Sequence, residues 1–179
     1  MKTDLMKKLV FLLLASLISL NSLGQDSKRI SIYVNGNWSQ IIYDRINEGA
    51  GGFTLGLDLL IYTKTKFSTR IEANYCIFSV LDDYQETLDG YPYVSMDHGP
   101  LIFAGLTYQP VKQFSISFSP GLSYFNSSPY FAIKPCAELY LDKKKRFLIK
   151  ASLTNIFIND HAGNQPEGII NLGLGIKLL

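Results

Sequence analysis

The segment FSISFSPGLSY, residues 114–124, alternates apolar and small polar residues without interruption. One face carries Phe114, Ile116, Phe118, Pro120, Leu122 and Tyr124, and the other carries only serine and glycine. A strict period of two is typical of a β-strand whose two faces meet different surroundings. The segment therefore predicts a strand, and it raises the question of which face meets an apolar environment.

Alternation of this kind occurs in eight segments, each near the roughly 9–11 residues that a tilted membrane-spanning strand needs. The predicted strands are 29–39, 52–62, 67–78, 99–109, 114–124, 130–141, 146–156 and 169–179. Even-numbered strands are followed by short turns, whereas two odd-numbered strands are followed by long connections, 39–51 and 79–98. The connection after the seventh strand, 157–168, is of moderate length, and the short NSSP turn after the fifth strand, 126–129, is the exception. Short turns at one end and long loops at the other are typical of outer-membrane barrels. The pattern predicts an all-β fold, an eight-stranded antiparallel up-and-down transmembrane β-barrel in the cell outer membrane.

The polar faces of these strands are built mainly from small residues such as Gly173 and Gly175 of the last strand. The lumen of an eight-stranded barrel is only wide enough for side chains to fill, so we expect the small polar face inside and the apolar face against lipid. Aromatic residues also gather at both ends of the apolar face, as the two membrane interfaces favour. An alternative is a soluble lipocalin-like ligand carrier, which predicts an apolar lumen instead.

Seven charged residues share the polar face and predict a charge network in the lumen. They are Asp58, Arg70, Glu72, Lys134, Glu138, Lys150 and Lys177. An unpaired charge in so narrow a space is costly, so we expect these groups to pair. We favour a salt-bridged plug over a catalytic or conducting centre.

The amino terminus predicts export and a single domain. A basic start, an apolar run from Val10 to Leu20 and small residues up to Gly24 predict a cleavable signal peptide over residues 1–24, with the barrel domain at 25–179. Without residues 1–24 the basic and acidic residues are equal in number, so a nucleic-acid partner has no electrostatic support. Cys76 and Cys136 fall in strands that are not neighbours, which favours two buried thiols over a disulfide.

Five segments resemble the outer-membrane β-barrel domain family of the Bacteroidetes that includes PorT-like proteins. They are GGFTLGLDLLIY (51–62), KFSTRIEANY (66–75), PVKQFSISFSPGLSYF (110–125), KPCAELYLDKKKRFLIKASLTNIF (134–157) and INLGLGIKLL (170–179). The resemblance implies an integral outer-membrane protein inserted by the barrel-assembly machinery, with no assigned activity in most members. Such barrels usually end in an aromatic residue, and this chain departs from the pattern by ending in Leu178 and Leu179.

A second hypothesis is a lipid A-modifying enzyme of the deacylase or palmitoyltransferase type. The segment IFINDHAGNQPEGI, 156–169, is similar to the last loop of the lipid A 3-O-deacylases. That family places a histidine and a serine where this chain has Ile156 and Ile158, so the catalytic pair does not carry over. His98 and His161 are isolated, and we predict no catalytic residues, metal site or cofactor.

Pro120 and Pro135 fall inside predicted strands, where neither can donate a ladder hydrogen bond. Pro120 and Pro135 are equidistant from the centre of the turn that joins strands 5 and 6, which predicts that they face each other. Tolerated bulges are the simpler interpretation. The alternative is a weak seam in the wall that could open for a lipid chain, which resembles the lateral access of the lipid A palmitoyltransferase.

The distribution of charge along the barrel predicts its partners. The short turns are basic, so they can meet phospholipid phosphates, whereas the long loops are acidic and would need divalent cations to bridge to lipopolysaccharide. We expect outer-membrane lipids and lipopolysaccharide as partners, the barrel-assembly machinery during insertion, no nucleic acid and a monomer. An external protein partner of the loops is not specified by the sequence.

Overall fold

The computed structural model describes residues 30–43, 49–63, 65–86, 92–125, 128–160 and 163–179. Eight strands account for nearly all of these residues: β1 (Ile30–Tyr43), β2 (Gly51–Tyr62), β3 (Phe67–Glu86), β4 (Pro92–Val111), β5 (Phe114–Phe125), β6 (Ser128–Tyr140), β7 (Phe147–Asp160) and β8 (Gly163–Lys177). The predicted signal peptide, residues 1–24, lies outside the described residues. In the described part of the chain, no helix has the length and apolarity to cross a membrane.

The strands form one closed barrel in which each strand pairs antiparallel with its neighbours in the sequence. Pairing of β1 with β8 completes the ring, from Tyr33 opposite Lys177 to Tyr43 opposite Gly168. The last two residues extend this contact, since the Leu178 N–H donates to the Ile32 carbonyl at 2.8 Å and the Ile32 N–H donates to the Leu179 carbonyl at 3.1 Å. The predicted eight-stranded up-and-down barrel is confirmed.

The two faces of every strand have the predicted sense. Serine, threonine, asparagine and charged side chains point into the barrel and are buried, including Ser115, Ser119 and Ser123 of β5. Most large apolar side chains point outward, and Leu55, Ile102, Leu106 and Leu174 are each more than half exposed. An outward apolar band around a polar interior is the arrangement of a membrane-spanning barrel, because lipid contacts the outside. The lipocalin-like alternative is wrong, since it requires the opposite sense.

The connection predicted for residues 79–98 is largely strand. β3 and β4 keep pairing beyond Phe78, from Ser79 opposite Met96 to Glu86 opposite Pro92. The moderate loop predicted after β7 is likewise mostly strand, since β7 and β8 pair as far as Asp160 opposite Gly163. The predicted strands were shorter because they were ended where the alternation of apolar residues ended. Two strands outside the membrane need no apolar face, because their backbones hydrogen-bond to each other and water solvates the rest.

The prolines do not face each other. Pro120 lies opposite Ile133 and Pro135 lies opposite Phe118, so they are diagonal neighbours on a β5–β6 ladder that is continuous from Phe114 to Phe125. The predicted seam between β5 and β6 is therefore wrong. The turn is one residue off the centre that we assumed, because Phe125 pairs with Ser128.

Each proline instead interrupts the ladder on its other side. β4 and β5 pair up to Phe103 opposite Gly121 and resume at Leu106 opposite Phe118. β6 and β7 pair at Ile133 opposite Asn155 and resume at Cys136 opposite Ser152. Successive residues of a strand direct their backbone groups to alternate neighbours, so Pro120 is turned to β4 and Pro135 to β7. The β5–β6 hairpin thus stands between two weakened contacts, each of which lacks one donor.

Candidate functional site

Among the described residues, six charged side chains meet at the centre of the lumen, three acidic and three basic. Lys150 on β7 places its Nζ 2.6 Å from Asp58 Oδ2 and 2.9 Å from Glu72 Oε2. Lys134 on β6 places its Nζ 2.7 Å from the same Glu72 oxygen. All of these side chains are buried. Glu72 therefore joins two lysines of the opposite wall, and the charges balance.

Arg70 extends the same network towards the short turns. Its Nη2 lies 2.5 Å from Glu138 Oε2, and its Nη1 lies 3.8 Å from Glu72 Oε1. The Ser115 hydroxyl donates to Glu138 Oε2 at 3.0 Å, and the Tyr140 hydroxyl donates to it at 3.2 Å. Charge pairs inside a low-dielectric lumen are tightly held only when such additional hydrogen bonds complete them.

Six of the seven predicted network residues are thus brought together, and the seventh is not. Lys177 is half-buried at the end of β8 and has no ion pair among those formed by the described residues. Its backbone N–H donates to the Arg146 carbonyl at 2.7 Å, which places it at the short-turn end. Alternation assigns Lys177 to the correct face, but it does not show how far along the barrel that residue lies.

Apolar layers close the lumen on both sides of the charges. The layer towards the long connections contains Ile41, Cys76, Phe78, Leu101, Phe103, Ala132, Ile156 and Ile169. The layer towards the short turns contains Tyr33, Leu60, Tyr140 and Leu148. These layers were not predicted from the sequence. Strand parity could have found them, because Phe103 and Leu101 alternate with the lipid-facing Ile102.

The turn between β6 and β7 covers the short-turn mouth of the barrel. Lys145 adopts a positive φ of 55°, and its Nζ donates to Gln109 Oε1 at 2.6 Å. The same amine lies 5.3 Å from the ring centroid of Tyr62 and 5.0 Å from that of Tyr140. The Tyr33 hydroxyl donates to the Lys145 carbonyl at 2.9 Å. The Lys145 amine thus lies against two aromatic rings, and hydrogen bonds join the same residue to two further strands. These contacts hold the turn over the lumen.

A cavity of about 10 Å³ lies in the lumen, at the boundary between the charges and the apolar layer towards the long connections. Asn37, Asn74, Phe103 and Lys134 are among the residues that line it. A cavity needs about 10–15 Å³ to hold one water molecule, so this cavity has no room for a solute or an acyl chain. The described side chains also contain no group of three or more histidines, cysteines or carboxylates placed to hold a metal ion.

Of the residues considered for catalysis, Ile156 and His98 lie on opposite faces of the barrel wall. Ile156 is fully buried in the apolar layer of the lumen towards the long connections, and His161 lies outside the described residues. His98 is on the lipid-facing side, where its Nδ1 is 2.7 Å from the Tyr75 hydroxyl and the two rings stack with centroids 5.8 Å apart. Cys76 and Cys136 are both buried and are not joined by a disulfide, as predicted.

Comparisons with known proteins show the fold. Ail, an outer membrane protein of Yersinia pestis, solved in a phospholipid bilayer nanodisc, is 13% identical with a TM-score of 0.53, over 83% of this chain and 99% of Ail. Ail crystallised in complex with the heparin analogue sucrose octasulfate is 15% identical with a TM-score of 0.55, over 83% and 97%. A de novo designed transmembrane β-barrel is 6% identical with a TM-score of 0.51, over 86% and 100%.

No family model and no curated protein matches this chain. At such low sequence identity, the structural similarity is evidence for the architecture and not for any activity. A closed barrel with a lipid-facing apolar band is the form in which strands cross outer membranes. The architecture therefore places this chain in an outer membrane, as predicted.

Proposed function

We propose that this chain is a closed structural barrel of the outer membrane that acts through its two exposed ends. The observation that carries this proposal is the filled lumen, in which a balanced ion network lies between two apolar layers. A sealed interior neither conducts a solute nor stores a ligand, so the surfaces that remain for function are the outer hairpins and the short turns.

Planar-bilayer recording of the refolded protein tests this proposal. We expect no ion conductance above the bare-bilayer level across the accessible voltage range, together with a folded band whose gel migration shifts on heating. The matched variant Glu72→Ala leaves Lys134 without its carboxylate partner and Lys150 with Asp58 alone, and should admit water and ions transiently. Steady conductance by the unaltered protein would contradict a sealed structural role.

A catalytic role has less support than a structural one. The deacylase-like positions are Ile156 and Ile158, and the first of these is buried in the lumen, where it contacts no lipid. The palmitoyltransferase-like alternative needs lateral access between strands, and the interrupted contacts beside Pro120 and Pro135 are its remaining support. Mass spectrometry of lipid A from a deletion strain tests both, and a changed acyl pattern would favour the enzyme.

Lipid headgroups are the partners that we propose for the short-turn end. Lys66, Lys112, Lys143, Lys144 and Arg146 are exposed there. They lie close to lipid-facing aromatics such as Phe67 and Phe147, which are about half exposed. Lysine and arginine beside a membrane interface attract anionic headgroups by about 1 kcal/mol per residue. Stabilisation by anionic over zwitterionic phospholipid in nanodiscs tests this contact.

For the opposite end we propose lipopolysaccharide, bridged by divalent cations to acidic residues. Three of the acidic residues concerned, Asp44, Glu48 and Asp89, lie outside the described residues, so the proposal rests on the number of acidic residues in the sequence. Thermal stability in lipopolysaccharide micelles, with and without a chelator, tests it. Equal stability under the two conditions would rule the bridge out.

Membership of the PorT-like outer-membrane barrel family also stays a proposal, supported by the five quoted segments. Insertion of a monomer by the barrel-assembly machinery follows from that membership.

A further inference from the structure

The β3–β4 hairpin continues beyond the strands that flank it. The last pair of β3 with β2 is Phe78 with Gly52, and the last pair of β4 with β5 is Leu101 with Ser123. β3 and β4 continue to pair with each other from Ser79 opposite Met96 to Asp82 opposite Tyr93 in an unbroken register, before a bulge. A two-stranded ribbon therefore projects from the long-connection end of the barrel.

The outer edge of β4 is the more regular of the two edges of this ribbon. Residues 93–99 pair with β3 without a bulge, between Pro92 and Pro100, and no other strand in the described ranges lies against their far side. Ala104, opposite Pro120, directs its backbone groups towards β5. Because successive residues direct these groups to alternate sides, the backbone groups of Val94, Met96 and His98 point to the same side as those of Ala104. Their N–H and C=O groups form a free edge, which is a template for another extended chain.

The charge of the ribbon selects what can pair there. Residues 79–98 include five acidic residues and no lysine or arginine: Asp82, Asp83, Glu86, Asp89 and Asp97. Like charges opposite each other on paired strands are destabilising, so a second copy of this hairpin is disfavoured as a partner. An extended segment that alternates basic and apolar residues has the complementary charge and the strand propensity.

We propose that the free edge of β4, residues 93–99, binds an extended cationic segment of an external protein by strand addition. Main-chain hydrogen bonds supply the register and the acidic ribbon supplies the selectivity, which is the division of roles in β-strand addition generally. The inference rests on the proposed function only for the location of this end of the barrel outside the cell. The free edge itself follows from the strand pairing.

Peptide binding to the refolded full-length barrel in nanodiscs tests the proposal. The probe is a capped ten-residue peptide of alternating lysine and valine, compared with the same peptide carrying glutamate for lysine. Met96→Pro removes one N–H from the free edge and leaves the β3–β4 ladder intact, whereas Met96→Val keeps that N–H and is the matched control. We expect saturable binding of the lysine peptide, at least tenfold weaker binding to Met96→Pro, unchanged binding to Met96→Val and no binding of the glutamate peptide.

Charge selectivity is tested separately. The triple variant Asp82→Asn, Asp83→Asn and Asp97→Asn should weaken binding and reduce its salt dependence, whereas Asp44→Asn with Glu48→Gln, in the β1–β2 connection, should not. Equal affinity of Met96→Pro and the unaltered protein would overturn strand addition, and Val94→Pro gives a second chance of detecting it if Met96→Pro fails to fold. Because bilayer conductance and heat-shifted migration are measured on the same preparation, failure of peptide binding is distinguishable from failure of the sealed-barrel role.

Discussion

Lys150 Nζ lies 2.6 Å from Asp58 Oδ2, although the two residues are 92 positions apart in the chain. Both side chains are at most 1% exposed, and the same amine reaches Glu72. One lysine of β7 therefore connects β2 and β3 through the lumen, in addition to the ladders that run around the wall.

Substitution of Lys150 by methionine should be strongly destabilising, because it leaves Asp58 and part of the charge of Glu72 buried without a cation. Breaking a buried pair from one side costs about 3–5 kcal/mol. Urea unfolding in lipid vesicles, followed by gel migration, measures this loss.

The matched control is Lys144→Met in the exposed β6–β7 turn, which should change stability little. The double variant Lys150→Met with Asp58→Asn restores the charge balance and should recover part of the loss. An unaltered unfolding midpoint in Lys150→Met would show that the lumen network does not stabilise the barrel.

Strand alternation was sufficient to predict which side chains share the lumen, because in a closed barrel one face of every strand has no other destination. It placed Asp58, Arg70 and Glu138 correctly without any knowledge of register. Alternation does not measure depth along the barrel, however, so the sequence could not separate Lys177 from the network. It also left the apolar layers unpredicted, although Leu101 and Phe103 lie on the inward parity.

Replacement of Pro120 by alanine should stabilise the barrel. The proline leaves the Ala104 carbonyl of β4 without its ladder donor, and alanine restores an N–H at that place. A restored hydrogen bond contributes about 0.5–1.5 kcal/mol. Hydrogen exchange of the new amide is the direct readout, and we expect it to be as slow as its β5 neighbours.

Pro135→Ala should act in the same way through the Leu153 carbonyl of β7. Ile133→Ala is the control, because it shortens a neighbouring side chain and leaves the ladder unchanged. Fast exchange of the new amides would mean that the β4–β5 and β6–β7 pairings are open beside the prolines. In that case, the missing hydrogen-bond donor would not be the only defect there.

The prolines also show where sequence reasoning reached its limit. The residues that cannot donate are evident in the sequence, but the strand that loses the bond depends on the turn register. An error of one residue in the turn centre turned a facing pair into a diagonal one. That displacement moved the weak contacts from within the hairpin to its two flanks.

We expect glycine to be required in the lumen because a side chain there would clash with neighbouring atoms, and not because of its backbone conformation. A Cβ on Gly173 would meet the Gly36 carbonyl and the side chain of Asn37, whereas a Cβ on Gly51 would meet nothing within 4 Å. Overpacking of this kind costs about 1–3 kcal/mol. We expect Gly173→Ala to lower the urea midpoint and Gly51→Ala to leave it unchanged. Equal effects would mean that the wall moves apart to accept a methyl group.

Lys145, which covers the short-turn mouth, should give stability a specific dependence on pH. Partial burial and the nearby charge of Lys177 lower the pKa of Lys145 below its ordinary value. Between the lowered pKa and the unfolded value of about 10.4, the unfolded chain holds a proton that the folded chain has released, so stability should rise with pH. Below that interval the amine is charged in both states, and the cost of burying the charge is fully present.

The measurement is the urea midpoint of the unaltered protein and of Lys145→Gln from pH 8 upward. The difference between the two proteins isolates this amine from the other lysines, and Lys144→Gln, from the adjacent exposed position, is the control. We expect the unaltered protein to gain stability relative to Lys145→Gln as pH rises, with no such trend for Lys144→Gln. Parallel pH profiles for all three proteins would mean that the amine leaves the two tyrosine rings in solution and titrates as a free side chain.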